Sequence, residues 1–163
     1  MVMSMVKPSS PKKKKPVIGW EEWCAFPDLG LPAVKAKIDT GAKTSALHAY
    51  DLEPFKKDGQ DYLRFKVHPI QRNREIECVC EAPLVDYRYV TSSNGEREKR
   101  YVIETTFQIG ENKFVCNLTL TTRYGMKFRM LLGKKALMQG KFLVDVSKSY
   151  IHGCVKNAKE LYL

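Results

Sequence analysis

The sequence predicts an all-β fold, a closed or sandwiched barrel with one short helix, behind a basic tail. Three observations predict it. Apolar residues recur with period two in most segments. Turn residues separate those segments at short intervals. A helical period is scarce, with one candidate at Lys134–Met138 directly after Leu131-Leu132-Gly133.

The elements follow in order. Residues 1–16 combine Ser, Pro and five lysines with no acid, so they read as a disordered basic tail that carries half of the net charge of +10. Residues 17–163 form one domain. Val34, Ala36 and Ile38 share one strand face, as do Leu63, Phe65 and Val67. Tyr101, Ile103, Thr105, Phe107 and Ile109 face inward against Val102, Glu104, Thr106 and Gln108. Phe114, Cys116, Leu118 and Leu120 alternate with Val115, Asn117, Thr119 and Thr121. Turns fall at Pro27–Gly30, Lys57–Gly59, Ser92–Gly95 and Gly110–Asn112. Asn94-Gly95 predicts a type I′ hairpin, a candidate flap.

Composition narrows the function classes. The chain has 163 residues, 44% hydrophobic and 28% charged, which suits one soluble globular domain. No apolar run reaches the roughly 20 residues of a membrane span. The N-terminus lacks the apolar stretch of a secretory signal, and five cysteines, an odd number, read as free thiols in a reducing compartment. The expected location is cytoplasmic. The positive body favours anionic partners. No phosphate-binding glycine loop, nucleophile elbow or His-Glu-x-x-His is present, and no cofactor is expected. His48, His68 and His152 are widely separated. Cys78 and Cys80 share a strand face and read as buried thiols rather than a zinc pair. Trp20 and Trp23 read as packing residues, and Glu104 as an exposed carboxylate.

The segment richest in chemistry is residues 33–47. A strand ends in an acid, Asp39, followed by Thr40, Gly41 and Ala42. Folding alone explains this poorly: the acid stands where the strand stops, and the glycine admits close backbone approach. Asp39-Thr40-Gly41-Ala42 resembles the active-site loop of retropepsin-like aspartic peptidases. Met130-Leu131-Leu132-Gly133-Lys134 resembles the apolar pair and glycine that precede a short helix beside that loop. The longer forms at residues 35–49 and 128–134, with Leu143-Val144-Asp145 and Ser149-Tyr150, resemble a bacterial branch labelled ATP-dependent zinc protease. That branch includes an endopeptidase that trims glutamate tails added to a small-subunit ribosomal protein. Val146 departs from the proline expected after Val-Asp, and Lys134 replaces the commoner arginine. The resemblance spans about residues 17–151.

The resemblance implies a closed six-stranded acid-protease barrel and an aspartic endopeptidase. Such an enzyme needs two carboxyls facing one water, with one proton shared between them. The ionised member takes a proton from the attacking water, and the protonated member donates to the peptide oxygen. The chain offers one Asp-Thr-Gly, and Asp28, Asp86 and Asp145 lack that loop context. The second carboxylate is therefore expected from another copy, with Asp39 of each protomer on a two-fold axis. Thr40 would bond the opposite loop, Gly41 would permit the approach, and Ala42 would keep the floor small. Thr44 and Ser45 would hold the loop, with Leu132 and Gly133 packed against it. Arg100, Arg123, Lys127, Arg129 and Lys134 are the candidate partners of an acidic or poly-glutamate peptide, with a ribosomal-protein tail as the implied substrate. The alternative for each is a solvated basic face. The alternative for the whole protein is a non-catalytic module that holds an acidic tail or RNA.

Overall fold

The structure is a computed structural model that describes residues 14–92, 94–122 and 127–163. Its strands are β1 (Val17–Ile18), β2 (Glu21–Phe26), β3 (Leu31–Ile38), β4 (Ser45–His48), β5 (Tyr50–Lys57), β6 (Gln60–Val67), β7 (Cys78–Thr91), β8 (Arg97–Ile109), β9 (Asn112–Thr121), β10 (Met130–Leu132) and β11 (Leu143–Val144). One α-helix, α1 (Lys134–Gln139), follows β10, and short 3-10 turns cover Pro27–Leu29 and Ala158–Tyr162. Most of the basic tail lies outside the described residues.

The sheet closes on itself. Neighbours run β2-β3-β10-β4-β9-β8, and β8 returns to β2 where Ala25 faces Gln108. This is the six-stranded barrel expected from the sequence. The pairs β3–β10 and β4–β9 are parallel, and the other pairs of the ring are antiparallel. On its far edge β8 pairs with β7, which carries β6 and β5 as an antiparallel extension.

Period-two burial builds the core. Val34, Ala36 and Ile38 point inward from β3, and Leu63, Phe65 and Val67 from β6. Phe26 meets Phe107 edge-on at 5.0 Å between ring centres, and Phe107 stacks on Phe114 at 5.4 Å. Each such fully buried apolar side chain contributes about 1.5–3 kcal/mol. Burial pushes the thiols of Cys24 and Cys80 up to about 12, so both are inert packing groups. Cys78 is half-buried.

The strand alternation departs from expectation at one place. Val102, Thr119 and Thr121, on the predicted polar faces, are buried. For the two threonines the reason is a second layer. The Thr119 hydroxyl donates to the Ser45 carbonyl at 2.8 Å, and the Thr121 hydroxyl to Glu98 at 3.0 Å. The hairpin also differs from a type I′ turn. Thr91 pairs with Arg97 and Ser92 N donates to the Glu96 carbonyl, so the loop is longer than the two residues of a type I′ turn, and Gly95 has a φ of +85°. The type I′ signature falls instead at Asp58-Gly59, with φ of +51° and +78°.

The first and last strands are tied together. Strand β1 pairs with β11, and fully buried Glu22 accepts backbone N–H groups of Gly19, Ile151 and His152 at 2.7, 3.0 and 3.1 Å. A buried carboxylate is tolerated because its oxygens are satisfied. Trp20 packs edge-on against Phe128, and Lys35 lies over the rings of Trp23 and Tyr150. Among the described residues no helix is long and apolar enough to cross a membrane.

Candidate active site

Two adjacent parallel strands, β3 and β10, end side by side and set the site. Ile38 is level with Leu132, and Asp39 N donates to the Leu132 carbonyl at 2.8 Å. The chain then folds back on itself. Gly41 N donates to Asp39 Oδ1 at 3.1 Å, and Ala42 N to the Asp39 carbonyl at 3.2 Å. The carboxylate is thereby fixed at the mouth of the loop and remains half-exposed. Thr40 and Gly41 are exposed beside it.

The segment after β10 clamps this loop. Backbone N–H groups at the start of a helix have no partner within it. Here Lys134 N donates to the Ala42 carbonyl at 2.7 Å and Lys135 N to the Lys43 carbonyl at 3.0 Å. Gly133 N donates to Ser45 Oγ at 3.0 Å, and Ser45 is itself buried. A Cβ on Gly133 would lie 2.6 Å from the Thr44 carbonyl carbon and 2.7 Å from its oxygen. Backbone atoms cannot swing aside, so no side chain fits there. The Asp39 loop and the Leu-Leu-Gly segment are one interlocked unit, and residues 39–45, 132 and 133 all belong to it.

A cavity of about 780 Å³ opens from this unit. Asp39, Gly41, Ala42 and Thr44 line one side, and Leu131 and Ala46 lie within it. The tip of the β7–β8 hairpin, including Ser92 and Asn94, lines the other, as a flap would. Among the described residues its charged lining is one acid, Asp39, and four cations, Lys43, Arg88, Arg100 and Lys135.

Of the five basic residues singled out in the sequence, Arg100 lines this cavity. Lys127, Arg129 and Lys134 do not, and Arg123 lies outside the described residues. Arg129 is half-buried, and burial followed by the charge of Arg74 lowers its guanidinium pKa. Its carbonyl accepts His48 N. Asp28 accepts the Thr106 hydroxyl, Asp86 pairs with Arg88, and Asp145 accepts Ser147, so each has a local role elsewhere. Glu104 is exposed. Lys43, Arg88 and Lys135 escaped sequence reading. Hairpin register was the missing signal for Arg88: once Thr91 faces Arg97, Arg88 must face Arg100.

Arg100 is anchored from behind. Its Nε donates to Glu98 at 2.9 Å, and its Nη1 reaches Thr119 Oγ1 at 3.5 Å. Burial works to raise the Glu98 carboxyl, but hydrogen bonds from Arg100 and Thr121 outweigh it and hold the group below its usual value. The opposite face of the hairpin carries a continuous stack. Tyr101 lies on Tyr87 at 4.2 Å, Lys99 over Tyr87 at 4.4 Å, and Arg97 over Tyr89 at 4.2 Å.

The chain is similar to known proteins over most of its length. Residues 17–154 match the RimB-like family, described as retropepsin-like aspartic endopeptidase RimB. A probable alpha-L-glutamate ligase of Shewanella pealeana is 53% identical over 137 residues, which cover 84% of this chain and 30% of that protein. One of Desulfotalea psychrophila is 43% identical over 131 residues, or 80% of this chain and 28% of that protein. The chain thus spans less than a third of these relatives' length. A Legionella pneumophila protein of unknown function shares the fold, with a TM-score of 0.72 at 24% identity, covering 85% of this chain and 99% of that one.

Proposed function

Because the chain belongs to the RimB-like family of retropepsin-like aspartic endopeptidases, we propose that it is a homodimeric aspartic endopeptidase acting on acidic, glutamate-rich peptides. One observation carries the reading. A single carboxylate, Asp39, is presented at the mouth of a cleft by a loop whose backbone is fixed at both Ala42 and Lys43. Fixed presentation of one acid suits a reaction that needs two acids at a set distance. The second is supplied by Asp39 of another copy, across a two-fold axis.

The chemistry follows from the pair. Two close carboxyls share one proton, because both cannot carry charge side by side. The ionised one removes a proton from water as it attacks the peptide carbon. The protonated one donates to the carbonyl oxygen, where negative charge develops. The Gly41 N–H on Asp39 Oδ1 orients the carboxylate. The hairpin tip then excludes bulk water above the scissile bond.

The cationic lining supports an acidic substrate, since among the described residues four positive side chains share the cavity with one acid, Asp39. The relatives support glutamate in particular. They carry this domain inside longer proteins named probable alpha-L-glutamate ligases. A peptidase joined to such a ligase would cut the bonds that the ligase makes. A glutamate-extended protein tail, such as that of a ribosomal protein, is then the natural substrate.

The test uses glutamate-tailed peptides and Asp39→Asn. The variant retains fold and dimer and loses cleavage by at least about a thousandfold, in line with loss of a dyad member. Mixing variant with wild type suppresses activity beyond simple dilution if the dyad is shared. Normal cleavage by Asp39→Asn overturns the assignment. Retained binding with no cleavage by the wild type supports the non-catalytic module instead.

A further inference from the structure

Arg88 and Arg100 are directly opposite each other on β7 and β8, on one face of the hairpin. Both line the cavity that holds Asp39. Like charges in this position repel, because opposed Cβ atoms on paired strands sit only about 4.5–5.5 Å apart. Each has one acidic partner on the hairpin, and neither partner stands between the opposed positions 88 and 100. Arg88 has a loose partner in Asp86, at 3.5 Å and on the surface. Arg100 is nearly buried, at 8% exposure, and spends its Nε edge on Glu98. Among the described residues no acid other than Asp39 lines the cavity.

We propose that Arg88 and Arg100 form a two-pronged clamp that grips one side-chain carboxylate of the bound peptide. It rests on the peptidase reading only for its role in cleavage, since the clamp binds whether or not the peptide is cut. An incoming carboxylate lies between the two guanidinium groups and relieves their repulsion. Planar guanidinium forks match carboxylate geometry, which an ammonium group does not. Arg100 is the fixed prong. Glu98 holds it, and Glu98 is held in turn by Thr121 Oγ1 at 3.0 Å and Thr122 N at 3.4 Å. Arg88 is the second prong, half-exposed and held on the surface by Asp86 at 3.5 Å. Lys43 and Lys135, without such a fork, draw acidic peptide toward the cleft and read no single position. The clamp sits on the flap, so a glutamate side chain in place also anchors the flap over the scissile bond.

The experiment measures binding, with cleavage removed. All proteins carry Asp39→Asn, and the probes are a fluorescent hexaglutamate peptide and its hexaglutamine counterpart, followed by anisotropy. The parent binds the glutamate peptide more tightly. Adding Arg88→Gln weakens glutamate binding at least about tenfold, which is about 1.4 kcal/mol, and leaves glutamine binding within about twofold. Arg100→Lys keeps the charge but loses the fork, and lowers the preference by a similar factor. Lys113→Gln, which removes an exposed positive charge outside the cavity lining, alters neither affinity by more than about twofold. Should all three variants weaken glutamate binding equally, the preference is a diffuse charge effect and the clamp is wrong. Should Arg88→Gln and Arg100→Lys match the parent, the clamp is likewise wrong. Neither result touches the peptidase assignment, which Asp39→Asn decides by cleavage alone.

Discussion

Replacing Gly133 by alanine places a methyl group 2.6 Å from the Thr44 carbonyl carbon, 2.7 Å from its oxygen and 3.0 Å from the Ala42 carbonyl oxygen. Ordinary van der Waals contact begins near 3.4 Å. The overlap approaches a full ångström, and the atoms it meets are backbone. The conformation itself is no obstacle: Gly133 has φ of −92° and ψ of 177°, an extended geometry open to any residue. On backbone entropy alone, glycine to alanine at a compatible site would stabilise by about 0.4–1 kcal/mol. The sign of the change therefore reports the steric contact. Overpacking of this kind costs about 1–3 kcal/mol, and at about 2–4 °C per kcal/mol for a domain of this size the Tm should fall by roughly 2–12 °C. The methyl also separates Gly133 N from Ser45 Oγ and displaces the Asp39 loop. Calorimetry on Gly133→Ala checks this, with Gly41→Ala as the comparison. There a Cβ meets only Asp39 Oδ1 at 3.4 Å, so its Tm should stay within about 2 °C. A Gly133→Ala protein as stable as wild type refutes the interlock of the two segments.

Two further outcomes are expected. Ser45→Ala removes the acceptor of the buried Gly133 N–H, an unmet donor that costs about 1–3 kcal/mol, measurable as a lower urea midpoint with an unchanged m value. The pH profile of stability should carry a contribution from His48, whose pKa is lowered from 6.5 by burial first and by the charges of Arg129, His68 and Arg74 second. Folded His48 then takes a proton less readily than the unfolded chain, so its contribution is complete above about pH 6.5 and is lost as pH falls below it, at up to about 1.4 kcal/mol per pH unit. Urea midpoints between pH 7.5 and 5.5 should show this slope, and His48→Gln should flatten it.

The barrel was legible because its signals are local. Inward alternation on β3, β6 and β8 follows directly from Val34-x-Ala36-x-Ile38, Leu63-x-Phe65-x-Val67 and Ile103-x-Thr105-x-Phe107. The Asp39 loop and the helix after Gly133 were legible because each is a contiguous motif. The cationic wall was less so. Lys127 and Lys134 lie near the motifs in sequence but do not line the cavity, whereas Arg88 reaches it through strand pairing with residues that follow the turn. Closeness along the chain is a poor guide to closeness across a sheet. Thr119 and Thr121 mislead for a related reason: a polar residue signals solvent unless a second layer supplies its hydrogen bond, and that layer comes from Ser45 and Glu98.

The run of rings and cations along the back of the hairpin has a mechanical consequence. Tyr101, Tyr87, Lys99, Tyr89 and Arg97 touch in succession, so bending the hairpin at mid-length would peel stacked faces apart. The β7–β8 register slips instead between Leu84 and Asp86, at the root of the stack. That irregularity lies outside the stacked contacts. The stacked length of the hairpin is thus braced on one face, and the irregularity of its pairing lies at the base rather than at the tip.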